Sequence, residues 1–229
     1  MVRRSDSPFT SKTLSFLRSL KRNNDREWFK ARKERYERDV KTPMLAVIEQ
    51  LAIDCKSFAP EIVASPKVSM YRIYRDTRFS ADKTPLKTNV AASFPWRGLH
   101  RHQGAGLYFE VAPGWVWIGG GMYAPEPPQL VKVREHIADT WPEIQRLTRA
   151  KAFKTLIGEV GGDKLTRVPR GYPADHPAAG ILRHKQFLAG RELPAETASR
   201  DDFYPTLLAT FKAIVPLVRF LNEPLGDSR

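Results

Sequence analysis

The sequence predicts an α+β protein whose mainly antiparallel sheet is flanked by N-terminal and C-terminal helices. Three observations support this fold class. Helical periodicity dominates as far as Pro60, runs rich in aromatic and β-branched residues follow, and helical periodicity returns from Pro128 onward. Strands and helices are thus grouped rather than alternating, which argues against a doubly wound parallel sheet. We expect a flexible N-terminus at residues 1–8 and a single α+β domain over residues 9–225.

Three helices are predicted in the N-terminal region. Asn24 and Glu27 have the three-residue spacing of a capping box, although Asn replaces the usual Ser or Thr. Thr42 followed by Pro43 predicts the N-cap and the first turn of the third helix. Apolar residues recur on one side of the first and third helices and indicate faces that pack on a core: Leu14, Phe16, Leu17 and Leu20, then Leu45, Ile48, Leu51, Ala52 and Cys55.

The middle of the chain predicts three or four antiparallel strands. "KVSMYRIYR" at 67–75 and "NVAASF" at 89–94 are two short runs of strand character, and "AGLYFEVAPGWVWIGGG" is typical of a hairpin that turns at Pro113 and Gly114. In this hairpin the residues alternate, so we expect one covered face and one partly wet face. The covered face would carry Leu107, Phe109 and Val111, and the wet face Tyr108 and Glu110.

Helices are predicted again in the C-terminal part. Two cover 129–141 and 142–158, a third lies around "AAGILRHKQFLAG" at 178–190, and the last spans about 201–222 with a kink or break near Pro216.

Composition favours an anionic partner. The 229 residues carry 38 Lys and Arg against 25 Asp and Glu, a formal net charge of +13. The only cysteine is Cys55, which excludes an intrachain disulfide. No run approaches the ~18 consecutive apolar residues of a membrane span, so we expect a soluble, cytoplasmic protein without a membrane partner. Neither a cofactor nor a particular oligomeric state is indicated.

The segment at 72–87, "RIYRDTRFSADKTPLK", concentrates positive charge. Five cations face two carboxylates, so five minus two leaves a local excess of three positive charges. A basic strand end that runs into a polar loop can hold a phosphate or carboxylate through arginine side chains and loop amides. The cations are Arg72, Arg75, Arg78, Lys83 and Lys87, and the carboxylates are Asp76 and Asp82.

A structural alternative stays open for this segment. If 67–75 is a strand, its even-numbered residues, Arg72 among them, share a face that looks buried at its beginning. A buried arginine needs a partner, and Asp76 on the same side would supply a bidentate carboxylate. In this interpretation Arg72, Asp76, Arg78 and Asp82 pair with one another and lock the loop.

Four motifs carry a resemblance to a known family. "NNDREWF", "RIYRDTRFSADKTPLKT", "GGGMYAPEPPQL" and "VPRGYPADHP" with "ILRHK" are all present. On these, residues 9–225 resemble a family of uncharacterised conserved bacterial and fungal proteins, a domain of unknown function with the motif R-I-Y-R-D-T-R-F-S-x-D-K-T-P-x-K-T. The resemblance implies no activity but implies candidate residues: Asn24, Arg26, Glu27, Trp28, Arg72, Arg75, Asp76, Arg78, Lys83, Lys87, Gly119, Gly120, Gly121, Arg170, Gly171 and His176.

Two of these motifs have alternative interpretations. The three glycines of "GGGMYAPEPP" would bring backbone amides and a helix start to an anion, or would only allow a close turn. "PRGYPADHP" adds Arg170 as a ligand-binding candidate and His176 as a weak candidate acid or base, although histidines in proline-rich loops are usually structural. Asp76 is the other weak catalytic candidate, either as a base or as the group that orients an arginine.

Three common enzyme signatures are absent from the sequence. There is no P-loop, no G-x-S-x-G elbow and no dinucleotide fingerprint. His100 and His102 lack a third ligand at a suitable spacing, so no metal site is predicted.

The leading hypothesis is an anion-recognising domain that binds, or acts as an enzyme on, a phosphorylated or carboxylated small molecule through residues 72–87. Arg75 and Arg78 would hold the anion, and Lys83 and Lys87 would add positive potential. The first alternative is a nucleic-acid binding module that uses the same cations and stacks bases on Trp96, Trp115 or Trp117. The second is a structural domain in which the arginines and aspartates form an internal ion network.

Overall fold

The computed structural model describes residues 8–99 and 103–226. The predicted flexible N-terminus at 1–8 falls almost entirely outside this part of the chain, and His100 and His102 fall outside it.

The α+β prediction is confirmed, with a four-stranded antiparallel sheet of strand order β1-β2-β3-β4. The strands are β1 (Val90–Phe94), β2 (Gly106–Val111), β3 (Trp115–Met122) and β4 (Phe187–Pro194). The α-helices are α1 (Ser11–Arg22), α2 (Arg26–Lys30), α3 (Lys33–Tyr36), α4 (Thr42–Phe58), α5 (Pro66–Ser69), α6 (Pro127–Asp139), α7 (Trp141–Arg149), α8 (Lys151–Leu156), α9 (Ala179–Leu182) and α10 (Phe203–Asn222).

The N-terminal helices begin and end differently from the prediction. The N-cap of α2 is Asp25, whose carboxylate accepts from the N–H groups of Glu27 and Trp28 at 2.9 Å. Asn24 is therefore not the cap. Thr42 is not a cap either, because it has helical dihedrals and the chain passes from α3 into α4 through a π-helical turn at Glu37–Lys41.

The predicted strand at 67–75 is wrong. Its first residues form the short helix α5, capped by the Ser65 hydroxyl, and the rest pairs only through isolated antiparallel bridges, Met70 with Ala92 and Tyr74 with Leu86. Ser65 followed by Pro66 is an N-cap and first-turn signal that outweighs the β-branched and aromatic composition behind it.

The predicted helix at 178–190 is also only partly correct. The helix α9 ends at Leu182, and the chain continues as the strand β4, where Phe187 and Ala189 are buried and the residues between them are not. The alternation of burial has the two-residue period of a strand. The hairpin prediction is confirmed, since β2 shows the expected alternation and β3 follows it directly.

The chain forms two compact units. Of the described residues, 8–93, Tyr108–Ile118 and Glu192–Leu208 make up one unit, and 94–99, 103–107, Gly119–Arg191 and 209–226 make up the other.

Aromatic contacts dominate the core of the first unit. The Tyr36 ring lies 5.9 Å from the Phe16 ring and 5.2 Å from the Phe29 ring, measured between centroids. Phe109 of β2 packs against Phe203 at 6.2 Å. All these rings are at most 5% exposed, so the side of β2 that faces this core is dry.

In the second unit, the Phe94 ring packs against Phe211 of α10 at 5.8 Å. Asn222, 2% exposed, accepts from the N–H of Ala105 at 2.8 Å and donates to its carbonyl at 2.9 Å, which satisfies a buried amide and the backbone together.

The last helix continues without a break through Pro216. The segment Phe203–Leu225 is long and apolar enough to cross a membrane by length and composition alone, with a mean hydropathy of 1.3 over a window of 18 residues, 56% of which is buried inside the protein. Such burial is typical of a core helix.

Candidate functional site

Residues 72–87, which we call the basic hairpin, form an irregular antiparallel ribbon closed by a loop. The N–H of Arg75 donates to the carbonyl of Pro85 at 3.0 Å, and the N–H of Lys87 donates to the carbonyl of Ile73 at 2.8 Å. The loop between these arms carries most of the charged residues of the segment.

Asn24 anchors the second arm of the basic hairpin. Its side-chain amide donates to the carbonyl of Leu86 at 2.8 Å, and its Oδ1 accepts from the Leu86 N–H at 3.0 Å. The amide thus pairs with the Leu86 backbone as a neighbouring strand would. On the first arm, the Tyr74 ring packs against Phe29 at 5.9 Å. Spacing pointed to Asn24 as a helix cap and the resemblance pointed to it as a candidate site residue, and the structure gives it a positioning role.

Arg75 closes the base of the loop. Its Nη1 donates to Asp82 Oδ2 and to the Thr84 hydroxyl, the second at 2.8 Å. The N–H of Thr84 donates to Asp82 Oδ1 at 2.9 Å. The hydrogen bonds from the Thr84 N–H and hydroxyl, followed by the one from Arg75, lower the pKa of Asp82 to about 2.

Arg78 and Asp76 form a second ion pair within the loop. Arg78 Nε and Nη2 donate to the two carboxylate oxygens at 3.0 and 2.7 Å, and the Arg78 N–H adds a third bond at 3.2 Å. The hydrogen bonds from Arg78 hold the pKa of Asp76 well below its usual range. A carboxylate of such low basicity suits the orienting role of Asp76 better than the role of a base.

The two lysines have different surroundings. Lys83 Nζ donates to the carbonyl of Thr77 at 2.9 Å and so spans the loop. Lys87 Nζ lies 4.6 Å from the centroid of the Tyr71 ring, in cation–π geometry.

Arg72 is exposed, and the prediction that it is buried beside Asp76 is wrong. The side that packs inward carries Ser69 and Ile73, 0% and 7% exposed, while Tyr74 on the other side is 47% exposed. The even-numbered side chains Arg72, Tyr74 and Asp76 are therefore the ones exposed to solvent. Within the described residues, the Arg72 side chain forms no hydrogen bond or ion pair, and Asp76 pairs with Arg78 instead.

The C-terminal candidates belong to the other unit. Arg170 is exposed in a turn, followed by Gly171 with a φ of 93°. His176 is half-buried, and its Nδ1 accepts from the N–H of Ala178 at 3.0 Å just before α9. Since Nδ1 is the acceptor, a neutral ring carries its proton on Nε2. This hydrogen bond fixes the loop and favours the structural interpretation of His176.

The three glycines Gly119, Gly120 and Gly121 lie inside β3, not in a loop before a helix. A Cβ on Gly121 would lie 1.9 Å from the carbonyl oxygen of Phe187, and its φ is 116°. Gly121 is needed because the next strand approaches closely, so the three glycines form neither the anion-binding loop nor the close turn that the sequence suggested.

Sequence reasoning missed a polar and aromatic surface on the wet side of β2 and β3. At its centre is Glu110, whose Oε2 accepts from the Tyr108 hydroxyl at 2.8 Å and from the Asn89 amide, and whose Oε1 accepts from Trp115 Nε1 at 3.0 Å. The half-buried Trp117 completes it. We call this set, Asn89, Tyr108, Glu110, Trp115 and Trp117, the aromatic sheet face.

A row of rings connects the aromatic sheet face to the basic hairpin. The Trp117 ring lies 5.7 Å from the Tyr108 ring, and the Tyr108 ring lies 6.1 Å from the Tyr71 ring. The Lys87 ammonium lies over the Tyr71 ring. The signal in the sequence was a glutamate alternating with aromatic residues on the predicted wet face. This pattern does not reveal the whole surface, because Asn89 and Tyr71 reach it only through the fold.

In the part of the chain that the structure describes, no group of three or more His, Cys, Asp or Glu side chains is placed to hold a metal ion.

The fold and the site define an α+β protein with a four-stranded antiparallel sheet and a basic hairpin braced by two ion pairs. The family described as conserved hypothetical protein (DUF2461) matches residues 12–220, and the chain belongs to this family. No match is found among curated proteins or among solved structures.

Proposed function

We propose that this protein recognises an anion, the phosphate or carboxylate group of a small molecule, through the basic hairpin. The observation that carries the proposal is its charge. Five cationic side chains share the hairpin with two carboxylates, so three positive charges are uncompensated within it however the residues pair. Phosphates and carboxylates are the ligands that such a surplus attracts.

Arg72 is the best-placed recognition residue. Its guanidinium is exposed and has no hydrogen-bond or ion-pair partner among the described residues, so an anion can approach it without breaking a hydrogen bond or an ion pair. The guanidinium presents a planar fork of donors that matches the oxygens of a phosphate or carboxylate.

The two ion pairs support recognition by holding arginines in place. A guanidinium has five N–H donors. Both side-chain bonds of Arg75 leave from Nη1, and those of Arg78 leave from Nε and Nη2. Donors therefore remain on each arginine while Asp82 and Asp76 fix its orientation, which reduces the entropy lost on binding.

The test is a binding screen with a matched pair of charge variants. Three proteins are compared: wild type, Arg72→Gln and Arg149→Gln. Each is titrated at two salt concentrations with phosphate, sulfate, sugar phosphates, nucleotides, carboxylates and short oligonucleotides, and binding is measured by thermal shift and calorimetry. Arg149 is an exposed arginine of α7, so its substitution removes the same net charge from a residue outside the basic hairpin.

We expect a small anion to stabilise wild type and Arg149→Gln, and to stabilise Arg72→Gln much less. Equal affinity in both variants would refute recognition by the hairpin. Stabilisation by oligonucleotides alone, with a salt slope of roughly 0.7 to 0.9 logarithmic units per phosphate contact, would move the proposal to nucleic-acid binding. If nothing binds, the ion pairs serve only to lock the loop.

Catalysis is a further step within this proposal. Asp76 and His176 are its candidate residues, and turnover of a bound phosphorylated ligand by wild type but not by His176→Gln would support it. A cytoplasmic location is proposed on the same footing, because the single cysteine, Cys55, cannot form the intrachain disulfides that are common in oxidising compartments.

A further inference from the structure

We propose that the aromatic sheet face binds a small organic cation of the alkylammonium class at Glu110. This site is separate from the anion site on the basic hairpin and does not depend on it. Its ligand is defined by the carboxylate and by the rings beside it.

Glu110 has no cationic partner among the described residues. Glu110 is half-buried and accepts hydrogen bonds from three neutral donors, Tyr108, Asn89 and Trp115. Among the described residues, no lysine, arginine or histidine nitrogen lies within 4 Å of its carboxylate. Removing a charge from water costs free energy that neutral hydrogen-bond donors offset only in part, and an opposite charge offsets more of it. A bound cation supplies the compensation.

The hydrogen bonds of Glu110 favour a cation as the ligand over a neutral polyol such as a sugar. A carboxylate offers about four lone-pair positions, and the three neutral donors already occupy most of them. Little hydrogen-bonding capacity is left for ligand hydroxyls, whereas the negative charge is still unmatched. An alkylammonium group satisfies the charge without displacing any donor.

The rings beside Glu110 also favour a cationic ligand. The faces of Tyr and Trp rings carry negative potential and attract cations. The centroids of the Tyr108 and Trp117 rings are 5.7 Å apart, and the two ring planes are inclined by 55°. Tyr108 also donates to the Glu110 carboxylate, so these rings lie beside the negative charge. The same row of rings already receives one cation of the protein, because the Lys87 ammonium lies 4.6 Å from the Tyr71 centroid.

The positive net charge of the protein does not oppose this assignment at working salt. Salt screens the electrostatic interactions of exposed charges over about 8 Å at physiological ionic strength. More distant positive charges of the protein therefore act weakly on a ligand at Glu110, and the adjacent carboxylate contributes most of the electrostatic energy.

The experiment compares choline with 3,3-dimethylbutan-1-ol, which has the same shape but no charge. Binding to the full chain is followed by calorimetry and by tryptophan fluorescence, which Trp115 and Trp117 report. Four proteins are used: wild type, Glu110→Gln, Trp117→Leu and Glu192→Gln. Glu192 is an exposed carboxylate of β4 and controls for the loss of one negative charge. Trp117→Leu leaves the hydrogen bonds of Glu110 in place and guards against a folding defect in Glu110→Gln.

We expect choline to bind wild type and Glu192→Gln equally, and to bind Glu110→Gln and Trp117→Leu roughly tenfold or more weakly. The neutral analogue should not bind. Equal binding of choline and the neutral analogue would overturn the proposal, because the site would then be merely apolar. So would unchanged affinity in folded Glu110→Gln, or no choline binding to wild type.

Discussion

Asn24→Ala removes both hydrogen bonds that hold the backbone of Leu86 in the basic hairpin. Leu86 is 0% exposed, so water replaces the lost amide poorly. A buried backbone group left without a partner costs about 1–3 kcal/mol, and two partly buried groups give a loss of about 2–4 kcal/mol in the free energy of unfolding. In a chain of this length 1 kcal/mol corresponds to roughly 2–4 °C, so the melting temperature should fall by about 4–16 °C.

Urea denaturation and thermal unfolding of three variants measure this effect. Asn23→Ala is the control, because Asn23 is the exposed neighbour that donates only to the Ser19 carbonyl at 2.9 Å. It should lose less than about 1 kcal/mol. Asn24→Asp retains the acceptor for the Leu86 N–H but places an oxygen against the Leu86 carbonyl, so it should be at least as unstable as Asn24→Ala.

The midpoint should shift with an unchanged m-value, which shows that stability and not the exposed surface has changed. If Asn24→Ala proves as stable as Asn23→Ala, the anchoring role assigned to the Asn24 amide is wrong. If Asn24→Asp matches wild type, the Leu86 carbonyl does not need the amide donor.

Three further predictions concern glycine, cysteine and pH. Gly121→Ala should lose on the order of 4 kcal/mol on urea denaturation, because its Cβ would lie 1.9 Å from a carbonyl oxygen, whereas Gly114→Ala, with open space around it, should lose almost nothing. Burial, with the nearby acidic charges, raises the pKa of Cys55 to about 12, so a thiol reagent at about pH 8 should label it only after unfolding. The lowered pKa of Asp82, about 2 against about 3.9 when unfolded, stabilises the protein above the unfolded value. Its contribution is lost as pH falls towards 2, so the difference in melting temperature between wild type and Asp82→Asn should shrink from about pH 5 to about pH 2.

Local patterns predicted the fold class and the β2–β3 hairpin because both depend on period. Alternation in "GLYFEV" follows directly from one covered face, and the buried Leu107, Phe109 and Val111 agree with it. Residues 187–190 are too short and too mixed for a period to be read next to a helical run, and the strand there is stabilised by pairing within the sheet. Tertiary context decided where local propensity was ambiguous.

The candidate site divides in the same way. Charge counting found the basic hairpin, since the surplus is a property of the sequence alone. The register of Arg72 was not predictable, because a shift of one residue moves every side chain to the other face and Ile73 competes for the same inward position. Glu110 with Asn89 was not predictable either, because the two residues are 21 positions apart and meet only in the folded sheet.

The exposure of Arg72 changes how the structural and the functional interpretations are to be separated. A structural network that includes a buried Arg72 predicts unfolding when the residue is replaced, since breaking a buried pair costs about 3–5 kcal/mol. The structure leaves Arg72 outside the network, which consists of Arg75 with Asp82 and Arg78 with Asp76. An exposed side chain without a partner contributes within about 0.5 kcal/mol to stability. Arg72→Gln should therefore fold as wild type does, so any loss of anion affinity in this variant reports recognition and not damage to the loop.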